Sequence, residues 1–232
     1  MNVELVSITQ PLIKTKDGDR FLTAEELISY CARISSPQNQ LNVETAPRLL
    51  KYCINHGHWS IFEQSSFTVS IETSRAIAPQ FLRHKSFSFQ EFSQRYAEVQ
   101  KFEPIELRKQ GKTNRQVGDE IVNDNYWNDR IKQNQESSYL LYSDMVKAGI
   151  AKESARMVLN LNVSTNLFMS GTIRSWIHYL QLRTSPDTQK EHRLIAEEIK
   201  KIFIDNFPNI SEALGWVKNL DADAPNYEKD NN

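Results

Sequence analysis

The sequence predicts an α+β protein that is richer in helix than in strand, with a small mixed or antiparallel sheet and several long helices. Residues 3–8 and 67–71 alternate apolar and polar side chains with the period of a half-buried strand. Several longer segments repeat apolar residues at helical spacing instead. No internal repeat or clear linker divides the chain. We therefore expect one domain over residues 1–220, followed by a frayed polar tail over residues 221–232.

The helices have recognisable start and stop signals. Thr23 with Glu26 fits a capping box, and Gly57 follows the second helix where a left-handed residue is needed. Pro79 lies inside the third predicted helix. Residues 101–125 are polar and poorly periodic, which is typical of a long loop. The predicted helices cover residues 23–34, 44–56, 74–82, 126–148, 152–161, 171–182 and 189–207.

Composition excludes several classes of protein. With 232 residues, of which 39% are hydrophobic and 25% charged, the chain is long enough to bury a core. The formal net charge of -1 argues against a broad nucleic-acid surface. No apolar run approaches the roughly 20 residues that span a bilayer, and the N-terminus does not resemble a signal peptide. We therefore expect a cytoplasmic protein that binds neither membrane nor nucleic acid.

The densest group of functional side chains lies at residues 83–96, with the sequence Arg-His-Lys-Ser-Phe-Ser-Phe-Gln-Glu-Phe-Ser-Gln-Arg-Tyr. If residues 87–95 are extended, Glu91, Ser93 and Arg95 line one side, because side chains two apart share a face at about 6–7 Å spacing. A carboxylate, a hydroxyl and a guanidinium in a row suit a nucleotide. Arg95 and Ser93 would hold phosphate by charge-assisted hydrogen bonds. An edge strand with a solvated polar face would produce the same pattern.

Arg-His-Lys at residues 83–85, followed after seven residues by Ser93, resembles the signature of the flavin-dependent thymidylate synthases, which is Arg-His-Arg, seven residues, Ser. Lys85 keeps the charge of the family's arginine but not its planar fork. Four other segments are similar to family segments in the same order: Gly-His-x-Ser-x-Phe-Glu at 57–63, Ala-Arg-x-Val-Leu at 155–159, Arg-Ser at 174–175 and Leu-Arg at 182–183. The resemblance implies the fold of that family.

The resemblance also implies roles for individual residues. The residues expected to contact dUMP are Gln80, Glu91, Ser93, Arg95, Arg156 and Arg183. The residues expected to contact FAD are Ser60, Glu63, Arg83, His84, Lys85, Arg174 and His178. Arg174 and His178 are four apart and share a helix face, while Arg183 falls on another face. His178 departs from the asparagine that is common in the family.

The reaction implied by the resemblance is the reductive methylation of dUMP to dTMP without a cysteine nucleophile. Methylenetetrahydrofolate is the carbon donor, FAD carries the hydride and NADPH recharges the flavin. We expect Arg183 to be catalytic by polarising the pyrimidine, since arginine stays charged and donates in a planar fork. A cation that only complements a helix dipole would also occupy this position. The resemblance further implies a homotetramer with active sites at subunit interfaces.

Two other functions are possible on sequence alone. Cys53, His56 and His58 are three potential zinc ligands, but their spacing fits no zinc motif, and we expect no metal site. The second alternative is a non-catalytic protein that binds nucleotides or single-stranded nucleic acid. In that protein the aromatic rings at residues 87, 89, 92 and 96 would stack on bases between the arginines.

Overall fold

A computed structural model describes residues 1–98, 101–114 and 117–217. The chain groups into two compact units. The first unit comprises Met1–Ser7, Phe67–Gly171 and Ser175–Ile199. The second comprises Ile8–Ser66, Thr172–Arg174 and the described residues from Lys200 onward. One domain over residues 1–220 stays a prediction, and the polar tail at 221–232 lies outside the described residues.

A four-stranded sheet and a two-stranded hairpin confirm the expected α+β class. The strands are β1 (Asn2–Ile8), β2 (Ser66–Ser74), β3 (Ser88–Glu91), β4 (Arg108–Gln110), β5 (Gly118–Ile121) and β6 (Ser164–Thr172). The sheet order is β1-β2-β6-β3, and β4 pairs with β5. Strands β3 and β6 are antiparallel, with Phe89 opposite Met169 and Glu91 opposite Leu167. Strand β6 was not predicted from the sequence, although Thr165, Leu167 and Met169 are buried in alternation.

The described part of the chain contains eight α-helices. They are α1 (Ala24–Ala32), α2 (Ala46–Asn55), α3 (Ala78–Phe81), α4 (Asn125–Lys147), α5 (Lys152–Ala155), α6 (Ile173–Arg183), α7 (Lys190–Asn206) and α8 (Pro208–Ala213). The capping box is confirmed, because the Thr23 hydroxyl accepts from the Glu26 amide at 3.1 Å and the Glu26 carboxylate accepts from the Thr23 amide at 2.8 Å. Gly57 ends α2 with a φ of 69°, as the sequence predicts.

Three predicted helices are wrong in their extent. The helix expected over 74–82 shortens to α3, because β2 continues to Ser74 and Pro79 is tolerated only in the first helical turn. The helix expected over 152–161 ends as a 3₁₀ turn, Arg156–Val158, and Leu159 is extended. The helix expected over 171–182 begins only at Ile173, because Gly171 belongs to β6.

The prediction of a loop over residues 101–125 is also wrong in part, since β4 and β5 form an antiparallel hairpin there. The Gly111 amide donates to the Val117 carbonyl at 3.1 Å near the turn. A side chain at Gly118 would come within 2.6 Å of Arg108 Cβ, so the two strands approach too closely for any residue but glycine. The Arg108 guanidinium also forms an ion pair with Glu191 on α7. This ion pair links the hairpin to α7 within the first unit.

Aromatic packing between the sheet and α6 forms the core of the first unit. The rings of Phe67 and Trp176 stack at 4.4 Å, and the Trp176 indole donates to the Phe67 carbonyl at 3.1 Å. The Phe87 ring forms T-shaped contacts with Trp176, at a centroid distance of 4.6 Å, and with Tyr179, at 5.8 Å. A Cβ at Gly171 would lie 2.5 Å from Cε1 of the Phe87 ring. Glycine at this position therefore lets the segment that carries residues 83–87 close onto the core.

Helices α1, α2 and α8 form the core of the second unit, with Ile28, Leu50 and Ile210 fully buried. The Glu25 carboxylate accepts from the Ile210 amide at 2.8 Å and from the Asn209 side chain at 2.7 Å. It thereby satisfies an amide at the start of α8 that has no partner inside the helix. Burial raises the pKa of Glu25 despite these hydrogen bonds.

Candidate functional site

The first unit contains a polar cavity of about 330 Å³ in which three predicted site residues meet. Its lining residues are Ala76, Pro79, Gln80, Arg83, Arg183, Asp187, Thr188 and Gln189. Gln80 and Arg83 come from α3 and the turn after it, while Arg183 is the last residue of α6. These residues are about a hundred positions apart in sequence, so the fold brings the two halves of the predicted site together.

Arg183 is held in this cavity by a histidine. Its Nε donates to Nε2 of His84 at 2.9 Å. Burial, together with smaller effects from the charges of Arg183 and His178, lowers the pKa of His84 to about 4. His84 is therefore neutral near pH 7, and its Nε2 must be the unprotonated nitrogen because it accepts from arginine. The neutral ring orients the guanidinium by a hydrogen bond and neither repels nor neutralises its positive charge.

Gln80 is held at both ends of its side-chain amide. Its Nε2 donates to Oε1 of Gln189 at 2.7 Å, and its Oε1 lies 3.1 Å from Nδ1 of His192. His192 is fully buried and its Nε2 lies 3.0 Å from the Tyr179 hydroxyl. Sequence reasoning missed Gln189 and His192. The sequence does place His192 on the apolar face of α7, but a histidine with only a structural role in the core has the same pattern.

Glu91, Ser93 and Arg95 do not share one face of a strand, so that expectation is wrong. Strand β3 ends at Glu91, and the Ser93 carbonyl accepts from the Tyr96 amide at 3.1 Å in a turn. Hydrogen bonds within the turn pair backbone groups that a longer β3 would have paired with the neighbouring strand. The Arg95 side chain is exposed on this turn, while Ser93 is half-buried.

Glu91 has a partner that the sequence did not reveal. Its Oε1 lies 2.9 Å from Nη1 of Arg75 and accepts from the Thr165 hydroxyl at 2.9 Å. Arg75 also donates to the Phe92 carbonyl at 2.6 Å, just after β3. Arg75 therefore fixes both the carboxylate and the start of the segment that carries Ser93 and Arg95.

Four predicted dUMP residues lie outside the polar cavity: Glu91, Ser93, Arg95 and Arg156. Arg156 begins the 3₁₀ turn after α5, and its Nε donates to the Glu153 carbonyl at 3.3 Å. Its side chain is half-buried. Within the first unit, the structure thus brings Gln80 and Arg183 to one cavity and leaves the other four residues elsewhere on that unit.

The predicted FAD residues fall in both units. Arg83, His84, Lys85 and His178 belong to the first. Of these, Arg83, Lys85 and His178 are exposed, with His178 on α6. Ser60, Glu63 and Arg174 belong to the second unit. There Glu63 forms an ion pair with Arg174, and the exposed Ser60 lies in the same 3₁₀ turn as Glu63.

The residues considered as zinc ligands have other contacts. Cys53 is buried, and the His56 ring stacks on Tyr52 at 4.0 Å. Nδ1 of His56 also lies 2.9 Å from the Tyr52 carbonyl. Among residues 1–98, 101–114 and 117–217, no three His, Cys, Asp or Glu side chains form a group that could hold a metal ion. In the same ranges, none of the helices combines the length and the apolar character of a membrane span.

Comparison with known proteins identifies the family. A model of the family described as thymidylate synthase complementing protein matches residues 19–209. The probable flavin-dependent thymidylate synthase of Paramecium bursaria Chlorella virus 1 is 49% identical over 221 residues, covering 94% of this chain and 100% of the relative. The flavin-dependent thymidylate synthase of Synechocystis sp. is 48% identical over 219 residues, covering 93% and 100%.

A solved structure agrees with these relatives. The crystal structure of the UMP/dUMP methylase PolB from Streptomyces cacaoi, bound with 5-Br dUMP, superposes with a TM-score of 0.76. Its sequence is 26% identical, and the match covers 93% of this chain and 94% of that chain. The family model, the relatives and the structural match agree. The chain belongs to the thymidylate synthase complementing protein family, and these two relatives are named as flavin-dependent thymidylate synthases.

Proposed function

We propose that this protein is a flavin-dependent thymidylate synthase, an enzyme that methylates dUMP to dTMP with methylenetetrahydrofolate as carbon donor, FAD as hydride carrier and NADPH as reductant. The observation that carries the proposal is the polar cavity in which Gln80, Arg83 and Arg183 meet beside a neutral histidine. The relatives named flavin-dependent thymidylate synthase at 48% and 49% identity support it, and so does the neighbour bound with 5-Br dUMP.

The dUMP contacts proposed for this chain are Gln80, Glu91, Ser93, Arg95, Arg156 and Arg183. Arg183 has the chemistry of an electrophilic group for the pyrimidine, because it keeps its charge and is aligned by His84 at 2.9 Å. Arg95 is exposed, and its guanidinium suits the phosphate because charge-assisted hydrogen bonds from arginine to phosphate are strong. Glu91 forms an ion pair with Arg75, and its carboxylate has a second oxygen that would accept from a sugar hydroxyl or a base N–H.

The chemistry of the proposed flavin residues fits FAD. Its pyrophosphate is an anion, and the exposed residues Arg83, Lys85 and Arg174 are cations. His84, His178, Ser60 and Glu63 complete the proposed set. Bound FAD supplies hydride transfer, which no side chain of this protein performs. The protein residues bind and orient the ligands and keep His84 neutral.

We further propose a cytoplasmic homotetramer with active sites at subunit interfaces. The position of Arg156 supports it, because this proposed dUMP contact lies outside the cavity that holds Gln80 and Arg183, as a residue that serves a site shared with another subunit would. A nucleic-acid stacking role is disfavoured for Phe87, because its ring packs against Trp176 and Tyr179.

The proposal predicts that the purified protein binds FAD and that dUMP changes the absorbance spectrum of the bound flavin. The shift is expected to saturate with dUMP, because nucleotide and flavin share one site. Titration of the FAD-loaded protein followed by absorbance measures it, with dAMP as the control nucleotide, which is expected to produce no saturable shift. Absence of flavin binding in excess FAD, or an unchanged spectrum at millimolar dUMP, would contradict the proposed function.

A further inference from the structure

We propose that a directional chain of hydrogen bonds locks the side-chain amide of Gln80 in one orientation, so that it offers an N–H to an oxygen acceptor of the bound nucleotide. Gln189 and His192 are the positioning residues at its two ends. This inference rests on the proposed function, since it takes Gln80 as a contact of dUMP. Neither the sequence motifs nor the comparisons give a role to Gln189 or His192.

One end of the chain is fixed by a carboxylate. Glu191 forms an ion pair with Arg108, and a carboxylate only accepts hydrogen bonds. Gln189 must therefore turn its NH₂ group toward Glu191, to which its Nε2 donates at 2.9 Å. The carbonyl of the same amide then faces the opposite way. There it accepts from Nε2 of Gln80 at 2.7 Å, which requires Gln80 to turn its own NH₂ group toward Gln189.

The other end of the chain agrees with this direction. The Gln80 carbonyl faces Nδ1 of His192 at 3.1 Å, and since a carbonyl only accepts, Nδ1 must carry the proton. Burial lowers the pKa of His192 to about 3, with smaller effects from the charges of Arg183 and His84. Nε2 of this neutral ring accepts from the Tyr179 hydroxyl at 3.0 Å. Burial raises the pKa of Tyr179, so the hydroxyl keeps the proton it donates.

The orientation matters because the two ends of an amide have opposite hydrogen-bonding character. In the observed orientation, Nε2 of Gln80 lies 2.7 Å from Oε1 of Gln189. A flipped Gln80 would place its carbonyl oxygen against that oxygen and its NH₂ group against the Nδ1–H of His192. The locked orientation leaves one N–H of Gln80 unused by these partners, since an amide nitrogen carries two hydrogens. Phosphate and uracil carbonyl oxygens both accept such a donor, and both would be repelled by a carbonyl in its place.

The first test removes the donor at the buried end. In His192→Leu the space stays filled by an apolar side chain, but nothing donates to the Gln80 carbonyl. We expect dUMP affinity, measured by equilibrium dialysis of radiolabelled dUMP against FAD-loaded protein, to fall about tenfold. In His192→Asn the side-chain nitrogen takes the place of Nδ1 and restores the donor. This variant is expected to bind dUMP within about threefold of wild type.

The second test reverses the chain from its far end. In Glu191→Gln, Arg108 takes the carbonyl of the new amide and leaves its NH₂ facing Gln189. Gln189 and Gln80 must then both turn over, so dUMP affinity is expected to fall about tenfold although the change is isosteric. The matched control is Glu197→Gln, also on α7, where a surface carboxylate lies 3.7 Å from Arg193. Its dUMP affinity is expected to equal that of wild type.

A double-mutant cycle separates positioning from general damage to the fold. If His192 acts through Gln80, the double variant Gln80→Leu/His192→Leu binds dUMP no more weakly than Gln80→Leu alone. An additional tenfold loss in the double variant would contradict the inference. So would wild-type affinity in both His192→Leu and Glu191→Gln, or in Gln80→Leu; the proposed function would survive these results. If wild-type protein itself binds no dUMP, the proposed function fails and the inference with it.

Discussion

Replacing Arg183 with alanine is expected to lower the rate of dTMP formation at saturating dUMP by about a hundredfold to a thousandfold, the range found when one preorganised donor to a developing negative charge is removed. Arg183 is the cation of the polar cavity that His84 aligns at 2.9 Å. The effect is expected in kcat more than in KM, because the charge on the pyrimidine develops only during the reaction. Steady-state assay of dTMP formation measures both constants.

Two variants control this prediction. Arg183→Lys keeps the charge but loses the fork, and we expect its kcat to fall between those of wild type and alanine. Arg193→Ala removes a cation whose guanidinium donates to the Pro186 carbonyl at 3.0 Å, and its kcat is expected to stay near that of wild type. If Arg183→Ala retained near-wild-type turnover, Arg183 would be only a cation at the C-terminus of α6, worth about 0.3–1 kcal/mol of stability.

Replacing Arg95 with alanine is expected to raise the KM for dUMP by about tenfold to a hundredfold and to leave kcat nearly unchanged. The exposed Arg95 lies on the turn that begins at Ser93, and we assign its guanidinium to the phosphate, which takes no part in the bond changes. A hydrogen bond to a charged group contributes about 1.5–3 kcal/mol, which converts to that range of affinity. The KM from initial rates against dUMP concentration measures the effect.

Deoxyuridine, which lacks the phosphate, distinguishes this role from a general disturbance. Wild type and Arg95→Ala are expected to bind deoxyuridine equally weakly, so the difference between them disappears with the phosphate. Arg130→Ala on α4, whose guanidinium lies over the Tyr126 ring at 5.9 Å, is the matched surface control. A loss of deoxyuridine binding equal to the loss of dUMP binding would show that Arg95 does not contact the phosphate.

The elements that depend on local chemistry were predictable from the sequence. The capping box at Thr23 and the alternation of Phe67, Val69 and Ile71 each determine their element without distant partners. Strand β6 was not recognised, because its strand character depends on pairing with β2 on one side and β3 on the other. The end of β3 at Glu91 likewise depends on its pairing with β6, and beyond it Ser93 and Arg95 lie in a turn and not in the strand.

The candidate site shows the same division. The resemblance made His84, Gln80 and Arg183 candidates for the site, but their contacts arise only when α3, α6 and α7 meet. Arg75 and His192 carry no motif, and their roles follow from distances of 2.9 Å and 3.1 Å to residues far away in sequence. Sequence patterns identify groups that bear chemistry. The groups that orient them are defined by tertiary structure.

The two cysteines provide the most direct contrast with a thymidylate synthase that attacks the uracil ring through a thiolate. Burial raises the pKa of both Cys31 and Cys53, which favours the thiol over the nucleophilic thiolate. Neither cysteine lines the polar cavity that holds Arg183. A reaction that depends on flavin and needs no cysteine is the central claim for this protein.

The measurement that tests this claim most directly is dTMP formation by the variant Cys31→Ser/Cys53→Ala, assayed with dUMP, methylenetetrahydrofolate and NADPH in the presence and absence of FAD. We expect dTMP to form at close to the wild-type rate when FAD is present and not to form when flavin has been removed. Formation of dTMP by flavin-free wild type, abolished by the cysteine replacements, would contradict the account, as would the absence of dTMP from wild type with every component present.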